Sequence, residues 1–244
     1  MHKKAEEEIN RLLQKEKELN QMKSNFVSMA SHEFRTPLST ILSSVSLLEH
    51  YKTTETQDKR DKHIWRIKSA VSEMVSILEE FLSLEKIEEG KVQVKKEMFN
   101  LKELAQQAAA KFNTALKPGQ VIEYTHTGKE EVWLDAGFIN HILNNLLSNA
   151  VKYSPEGTEI IFETCVKKNA AILKVKDHGI GISSEDQKHL FERFFRASNT
   201  GNIKGTGLGL HIVKRYIDLM QGTIVLESEV SKGTQFTVTI PVSD

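Results

Sequence analysis

The sequence has almost no cysteine, no long apolar run and no excess of either charge. Its one cysteine, Cys165, cannot form a disulfide within the chain, which is consistent with a reducing compartment. No apolar stretch reaches the roughly 18 residues that a membrane-spanning helix requires, and the amino terminus lacks the apolar segment of a signal peptide. We therefore expect this chain to be soluble and cytoplasmic, with any membrane-attached sensor lying outside it.

The charges balance, with 33 Lys and Arg against 33 Asp and Glu. General nucleic-acid-binding proteins are normally basic, so we expect no nucleic-acid partner, although local basic patches stay open. A hydrophobic content of 39% and a charged content of 27% are sufficient for a packed core and argue against disorder. The length of 244 residues suggests one large or two modest domains.

Residues 1–24 are highly charged and carry few apolar side chains. Leu12, Leu19 and Phe26 are spaced by seven, which is typical of the narrow apolar seam of a coiled coil. A single solvated helix is the alternative, but so polar a helix would bury little by itself. We expect a parallel coiled coil that continues into the next segment.

Two long amphipathic helices follow this segment. The first continues to about His50, residues 51–57 are predicted to be a loop, and the second extends from Asp58 to about Glu89. Gly90 is a plausible stop. Helices joined by a short loop predict an antiparallel hairpin. Because each helix has a wide apolar face that one hairpin cannot cover, we expect two chains to form a four-helix bundle.

The first of these helices contains His32 beside Glu33, and Pro37 follows four residues after the glutamate. A proline cannot donate to the carbonyl four residues back, so the backbone is loosened at Glu33. A kink there would expose the imidazole and let the helix bend. By itself His32 is most simply a surface histidine, and only the downstream residues favour another interpretation.

After Gly90 strands and helices are mixed, which predicts an α+β two-layer sandwich. Asp135 is a candidate N-cap of a helix. The pattern predicts strands at 91–99, 121–125, 131–134, 158–166, 170–176, 223–227 and 234–241, and helices at 101–116, 135–151, 183–191 and from about 209 to 220.

A polar motif lies on the helix that follows Asp135. Asn145, Asn149 and Lys152 are four and three residues apart and therefore share one helical face. Amide oxygens suit a hard ion such as Mg²⁺, and a lysine suits phosphates. A polar helix face without a ligand explains the same pattern equally well.

Two glycine-rich motifs follow, at residues 177–181 directly after a strand and at residues 205–209 just before a helix. Glycines let a backbone approach a ligand closely or adopt positive φ, and such a loop before a helix N-terminus suits phosphate. The carboxylate of Asp177 could accept a hydrogen bond from an exocyclic amine such as that of adenine. Each motif alone also fits an ordinary tight turn.

In their order and spacing, these motifs resemble the bacterial sensor histidine kinases of two-component systems and the wider gyrase/chaperone/histidine-kinase/mismatch-repair ATPase superfamily. The resemblance covers residues 22–241. Residues 31–38 resemble the phosphoacceptor box, 145–153 the asparagine box, and 177–181 and 205–209 the two glycine boxes. Residues 191–196 resemble the phenylalanine box beside an ATP lid, and 233–236 resemble the closing strand signature.

The resemblance implies three segments: a coiled-coil linker from an upstream sensor at 1–24, a dimerisation and histidine-phosphotransfer hairpin at 25–90, and a catalytic ATP-binding domain at 91–244. It implies a homodimeric kinase that uses ATP and Mg²⁺, phosphorylates His32, and passes the phosphoryl group to the receiver domain of a response regulator. Whether transfer occurs within one subunit or across the dimer stays open.

The resemblance also assigns roles to single residues. Glu33 would orient or deprotonate His32, Thr36 would support dephosphorylation of the partner, and Arg196 would lie near the γ-phosphate. Asn149 and Asn145 would hold Mg²⁺. The remaining nucleotide contacts would come from Lys152, Tyr153, Asp177, Gly179, Gly181, Gly205, Thr206, Gly207, Leu208 and Gly209.

Two alternative functions are an ATP-binding scaffold without kinase activity and an ATP-hydrolysing clamp of the same superfamily. The hydrolysing relatives carry a catalytic glutamate four residues before the metal-binding asparagine, whereas this chain has Asn145 there. Direct hydrolysis should therefore be poor. His178 stands where asparagine is common in the family and could add sensitivity to pH.

Overall fold

The structure is a computed structural model that describes residues 2–51, 56–201, 203 and 205–242, with side chains described for 13, 14, 16, 17 and from 27 onward. These residues form two compact units. The first unit extends to Glu79 and the second begins at Glu80.

Two long helices dominate the first unit, as the sequence predicted. Helix α1 (His2–Leu48) is continuous through Pro37, and helix α2 (Gln57–Glu88) extends into the second unit. The backbone over the predicted coiled coil is helical, but the side chains that would form its seam lie outside the described residues, as do residues 52–55 of the predicted loop.

The end of α1 and the start of α2 meet at Tyr51. The Tyr51 ring stacks on that of His63 at 5.7 Å between centroids, and Arg60 Nη1 donates to the Tyr51 carbonyl at 2.7 Å. Helix α2 ends just before Gly90, the residue predicted to stop it. Gly90 has a φ of +65°, and its amide donates to the Ile87 carbonyl. Glycine adopts this left-handed conformation without the steric cost of a Cβ atom.

The second unit contains a five-stranded sheet and a separate two-stranded sheet. The five strands lie in the order β2–β4–β5–β7–β6; β2 and β4 are parallel and the other pairs are antiparallel. Strand β1 pairs with β3 alone. The strands are β1 (Glu97–Asn100), β2 (Val121–Gly128), β3 (Glu131–Leu134), β4 (Glu159–Lys167), β5 (Ala170–Asp177), β6 (Thr223–Glu229) and β7 (Gly233–Pro241).

Helices α3, α4 and α6 cover one face of the larger sheet and enclose the core. Alternate residues of β4, β5 and β7 are buried on this face, and α4 contributes seven buried side chains. This arrangement confirms the predicted α+β two-layer sandwich. The helices are α3 (Leu101–Lys111), α4 (Ala136–Tyr153), α5 (Ser184–Gln187) and α6 (Gly209–Leu219), and a short 3-10 helix spans Ser198–Thr200.

Three predicted elements were too long. The strand predicted at 91–99 begins only at Glu97, because its partner β3 has just four residues with which to pair. The helix from Leu101 ends at Lys111, and α5 ends at Gln187, after which the chain makes turns through 194. Among the described residues, no helix is both long and apolar enough to cross a membrane.

Candidate functional site

A cleft of about 190 Å³, open to solvent, lies within the second unit and brings the three sequence motifs together. It lies between α4, the ends of β5 and β7, and the glycine-rich segment before α6. Of the predicted residues, those lining it are Asn145, Asn149, Lys152, Tyr153, Asp177, Gly181, Arg196, Gly205, Thr206, Gly207 and Gly209.

Asp177 ends β5 on the buried face of the sheet, and only 7% of it is exposed. Its Oδ1 atom accepts hydrogen bonds from the backbone amides of Gly179 (2.8 Å) and Thr234 (3.2 Å). Burial raises the pKa of this carboxyl, although the two amides partly oppose the shift. Within the described part of the chain no group donates to Oδ2, so that atom can accept a hydrogen from a ligand.

The first glycine motif has no room for side chains. A Cβ atom on Gly181, whose φ is +66°, would lie 1.9 Å from the Glu229 carbonyl oxygen, and one on Gly179 would lie 2.8 Å from that of Tyr153. Gly181 also accepts a hydrogen bond from Asn199 Nδ2 at 2.8 Å. The backbone can approach a flat ligand here because both positions lack a side chain.

The second glycine motif is similarly tight. Gly207 has a φ of +68° and accepts a hydrogen bond from the Phe194 amide at 3.0 Å. A Cβ atom on Gly209 would lie 2.1 Å from Asn145 Nδ2. Thr206 Oγ1 accepts from the Leu208 amide at 3.1 Å and donates to the Glu80 carboxylate, which lies at the edge of the cleft.

The polar face of α4 supplies amide and ammonium groups. Asn149 Nδ2 donates to Asn145 Oδ1 at 3.2 Å. The side-chain oxygen of Asn149, Oδ1, has no donor among the described residues. Lys152 Nζ lies 5.5 Å from the centroid of the Tyr153 ring. Burial raises the pKa of Tyr153, and the charge of Arg196 partly opposes that shift.

Arg196 follows a segment with unusual backbone. Phe194 has a φ of +64°, a conformation that is rare for a bulky residue and that the hydrogen bond to Gly207 supports. Arg196 Nη2 donates to the Ile203 carbonyl at 2.5 Å, so the guanidinium already connects two parts of the loop around the cleft.

Two predicted residues do not line the cleft. Leu208 is fully buried and packs in the core. Gly179 lies outside the cleft lining, close to the backbone carbonyl of Tyr153. Sequence reasoning missed other lining residues, which come from separate parts of the chain: Glu80, Ser148, Ile180, Ile182, Leu190, Phe195, Ala197, Asn199, Thr200, Leu210, Thr234 and Phe236. Five of them lie within the sequence motifs described above, which was the signal available: Ser148, Ile180, Phe195, Thr234 and Phe236.

The predicted phosphoacceptor lies on α1 in the first unit. The His32 side chain is 76% exposed, whereas that of Glu33 is 8% exposed, and His32 Nδ1 lies 3.5 Å from Glu33 Oε1. Thr36, one turn later, is partly exposed, and its carbonyl accepts a hydrogen bond from Thr40 Oγ1 at 3.1 Å. An exposed imidazole beside a shielded carboxylate is available to react with a group from outside the helix.

The donors in the cleft suit a metal ion that keeps part of its water shell. The described residues contain no group of three or more His, Cys, Asp or Glu side chains that could enclose an ion. Amide oxygens of α4 face the cleft instead, and a magnesium ion characteristically takes one or two protein ligands together with waters and phosphate oxygens.

Two family models match the chain. Residues 22–90 match the His Kinase A (phospho-acceptor) domain, and residues 134–244 match the histidine kinase-, DNA gyrase B-, and HSP90-like ATPase. The first match contains His32, and the second contains every predicted cleft residue.

Curated relatives align with nearly the whole of this chain. The autoinducer 2 sensor kinase/phosphatase LuxQ of Vibrio parahaemolyticus is 30% identical over 98% of this chain and 29% of its own length. The sensor histidine kinase RcsC of Escherichia coli is 31% identical over 98% of this chain and 25% of its own length. This chain therefore spans less than a third of the length of these relatives.

Solved structures agree with the sequence comparison. The histidine kinase AdeS of Acinetobacter baumannii aligns with a TM-score of 0.64 at 25% identity, over 87% of this chain and 98% of that one. Full-length ShkA, solved in complex with AMPPNP, aligns with a TM-score of 0.65 at 25% identity, over 87% of this chain and 44% of that one. With its phosphoacceptor helix and its ATPase domain both matched, the chain belongs to the bacterial sensor histidine kinases.

Proposed function

We propose that this chain is an ATP-dependent protein histidine kinase that phosphorylates its own His32 and then transfers the phosphoryl group to an aspartate of a response regulator receiver domain. The observation that supports this most directly is the exposed His32 imidazole beside a shielded carboxylate, in a chain that also contains the ATPase cleft. The hairpin at 25–90 would accept the phosphoryl group and the domain at 91–244 would bind ATP.

In this proposal Asp177 recognises the adenine base. The Oδ2 atom accepts a hydrogen bond from the exocyclic amine, and the two backbone amides on Oδ1 fix the orientation of the carboxylate. Guanine has a carbonyl at the corresponding position and would face the carboxylate with an acceptor, so ATP should bind more tightly than GTP. The AMPPNP complex of ShkA is consistent with an adenine nucleotide in this cleft.

The phosphates would lie between the polar face of α4 and the second glycine motif. Lys152 and Arg196 supply positive charge, and Gly205, Gly207 and Gly209 let the backbone approach. Asn149, together with Asn145, would hold Mg²⁺, which neutralises charge on the phosphate oxygens during transfer. Because Asn145 replaces the glutamate of the hydrolysing relatives, no carboxylate at this position activates water.

The contact between His32 and Glu33 supports Nε2 as the reacting nitrogen. Glu33 faces Nδ1 and therefore favours the tautomer that keeps a proton there, which leaves the lone pair of Nε2 available. Nε2 attacks the γ-phosphorus, the bond from that phosphorus to the bridging oxygen breaks, and ADP leaves. Glu33 balances the positive charge that develops on the ring.

Two copies of the chain would assemble through the first unit. Exposed apolar residues recur along α1 and α2 at spacings of three and four, at Leu38, Leu42 and Val45 and at Val71, Val75 and Leu78. Such stripes are typical of helices that bury a second face against a partner, as in a four-helix bundle. We include the homodimer in the proposal for this reason.

The proposal is tested by incubating purified chain with γ-labelled ATP. Wild type should become labelled, His32→Ala should not, and both should bind ATP with the same affinity because the cleft is unchanged. The matched control is His50→Ala, which replaces an exposed histidine in the turn just after the same helix and should be labelled like wild type. Labelling of His32→Ala at the wild-type rate would refute the proposal.

The same assay separates the alternatives. ATP binding without labelling of wild type would indicate a scaffold, and rapid release of inorganic phosphate without labelled protein would indicate a hydrolysing clamp.

A further inference from the structure

The last turn of α4 carries Lys152 and Tyr153, and a neighbouring turn at residues 117–120 holds its carbonyl groups. The 117–120 turn is closed by a hydrogen bond from the Gln120 amide to the Lys117 carbonyl at 2.9 Å. The Lys117 ammonium then donates to the carbonyl oxygens of Lys152 at 3.0 Å and Ser154 at 2.5 Å.

Gln120 satisfies further carbonyls at the same helix end. Its side chain is only 4% exposed, and Nε2 lies 3.2 Å from each of the carbonyl oxygens of Val151, Ser154 and Pro155. Its Oε1 accepts from the Lys117 amide at 3.0 Å, which fixes the amide orientation. An α-helix leaves its last four carbonyls without helical partners, and here two side chains of one turn supply donors for those of Val151 and Lys152 and for the two carbonyls that follow the helix.

The charge of Lys117 suits this position as well as its hydrogen bonds do. The C-terminal end of a helix carries partial negative charge, so a cation there is stabilising. The turn is also held from its other side, since the Gly157 amide donates to the Pro118 carbonyl at 2.9 Å. A Cβ atom on Gly119 would lie 3.1 Å from Gly157 Cα, so the close approach depends on glycine.

The helix end held in this way forms one wall of the cleft. Lys152 and Tyr153 line the cleft directly, while Lys117 and Gln120 do not reach it. The Tyr153 carbonyl also packs against Gly179, where an added Cβ atom would lie 2.8 Å away. If the end of α4 were displaced, Lys152, the Tyr153 ring and the loop that follows Asp177 would therefore move with it.

We propose that Lys117 and Gln120 are positioning residues for ATP: they fix the end of α4 and so set the placement of Lys152 and Tyr153. The inference rests on the proposed function, because it assigns ATP to this cleft. It adds two residues that act through the backbone and touch no part of the nucleotide.

Lys117→Met tests this directly, because methionine keeps most of the aliphatic stem and removes the ammonium. We expect the Kd and the KM for ATP to rise about five- to tenfold, in line with the loss of charge-assisted hydrogen bonds, while kcat stays within about twofold of wild type. Lys117→Arg should restore KM to within about twofold, since a guanidinium can donate to the same carbonyls.

Lys102→Met is the matched control. Lys102 lies in the same unit and donates to Glu130 at 2.7 Å, but it has no contact with the end of α4. Its removal should leave Kd and KM unchanged. Gln120→Asn gives a second test with less structural damage, because the shortened amide withdraws from the carbonyls; we expect a KM increase of about threefold.

A purely structural role predicts a different result. In that case Lys117→Met would lower Tm while the folded protein kept the wild-type Kd and KM, and this outcome would overturn the inference. Failure of the wild-type chain itself to bind ATP would refute the proposed function instead, and no variant is needed to recognise that result.

Discussion

The two units differ in how much of their apolar surface the chain itself covers. In the second unit Ile139, Leu143 and Leu147 of α4 have no exposed surface, and alternate residues of β4, β5 and β7 are buried beneath the helices. In the first unit Leu42 is 70% exposed and Trp65 is 65% exposed. One unit therefore completes its own core, and the other leaves much of its apolar surface to be covered.

The difference extends to the chemistry of each unit. Asp177 is buried, so a hydrogen bond to it is strong and selective, because water does not compete for the carboxylate. His32 is exposed, which the proposed role of phosphoacceptor requires, since a group from elsewhere must reach it. In the proposed reaction, ATP is recognised by a buried carboxylate, and its phosphoryl group is transferred to a histidine on an exposed helix.

The largest expected effect is on stability, and it distinguishes the buried core of the second unit from the exposed apolar surface of the first. Leu143→Ala should lower the free energy of unfolding of the second unit by about 3 kcal/mol, because it leaves a cavity among fully buried side chains. Leu42→Ala should cost less than about 0.5 kcal/mol in an isolated chain, since the side chain is mostly exposed. The measurement is urea unfolding followed by tryptophan fluorescence.

The chain has two tryptophans, Trp65 in the first unit and Trp133 in the second, so a Trp65→Phe background reports the second unit alone. A dimer interface at Leu42 adds a further expectation: the cost of Leu42→Ala should depend on protein concentration, and that of Leu143→Ala should not. Equal, concentration-independent costs for both changes would remove the distinction between the units.

The sequence predicted the elements that depend on local patterns. Asp135 caps α4 as expected, with its Oδ1 accepting from the Phe138 amide at 2.9 Å, and β3 has the predicted bounds. Long-range contacts explain what was missed. Thr234 reaches Asp177 from a strand 57 residues later, and Asn199 reaches Gly181 from a loop; neither contact leaves a periodic signal.

The second prediction concerns the closed site. Asp177→Asn should weaken ATP binding by about 30-fold, or about 2 kcal/mol, because an amide replaces a charged acceptor at the adenine amine. Calorimetric titration with ATP measures the change. Asp218→Asn is the control, since Asp218 is exposed on α6, outside the cleft, and pairs with Lys214. ATP affinity equal to wild type in Asp177→Asn would show that the carboxylate does not read adenine.

The pH dependence of the same variant sharpens the test. Burial raises the pKa of Asp177 above its ordinary value of 3.8, so its stability contribution is full below that value and is lost as the pH rises through the folded-state pKa. The Tm of Asp177→Asn relative to wild type should therefore increase with pH across this range. ATP affinity of wild type should decrease as the pH falls through the same pKa, and the variant should lack this step.

The smallest effect is expected at the open site. Thr36 lies one turn after Glu33 on α1, where its hydroxyl could orient water for dephosphorylation of a response regulator. Thr36→Ala should reduce the phosphatase rate about tenfold, because one well-placed hydrogen bond is lost, and leave labelling of His32 within about twofold.

The substrate is a receiver domain that has accepted phosphate from the wild-type chain, and Thr40→Ala is the control one turn later. If labelling and phosphatase activity fall together in Thr36→Ala, the hydroxyl stabilises the helix and does not orient water for dephosphorylation. If only the phosphatase rate falls, two reactions share one exposed helix and differ in a single side chain, whereas the proposed adenine recognition in the second unit depends on Asp177, which is fixed in its core.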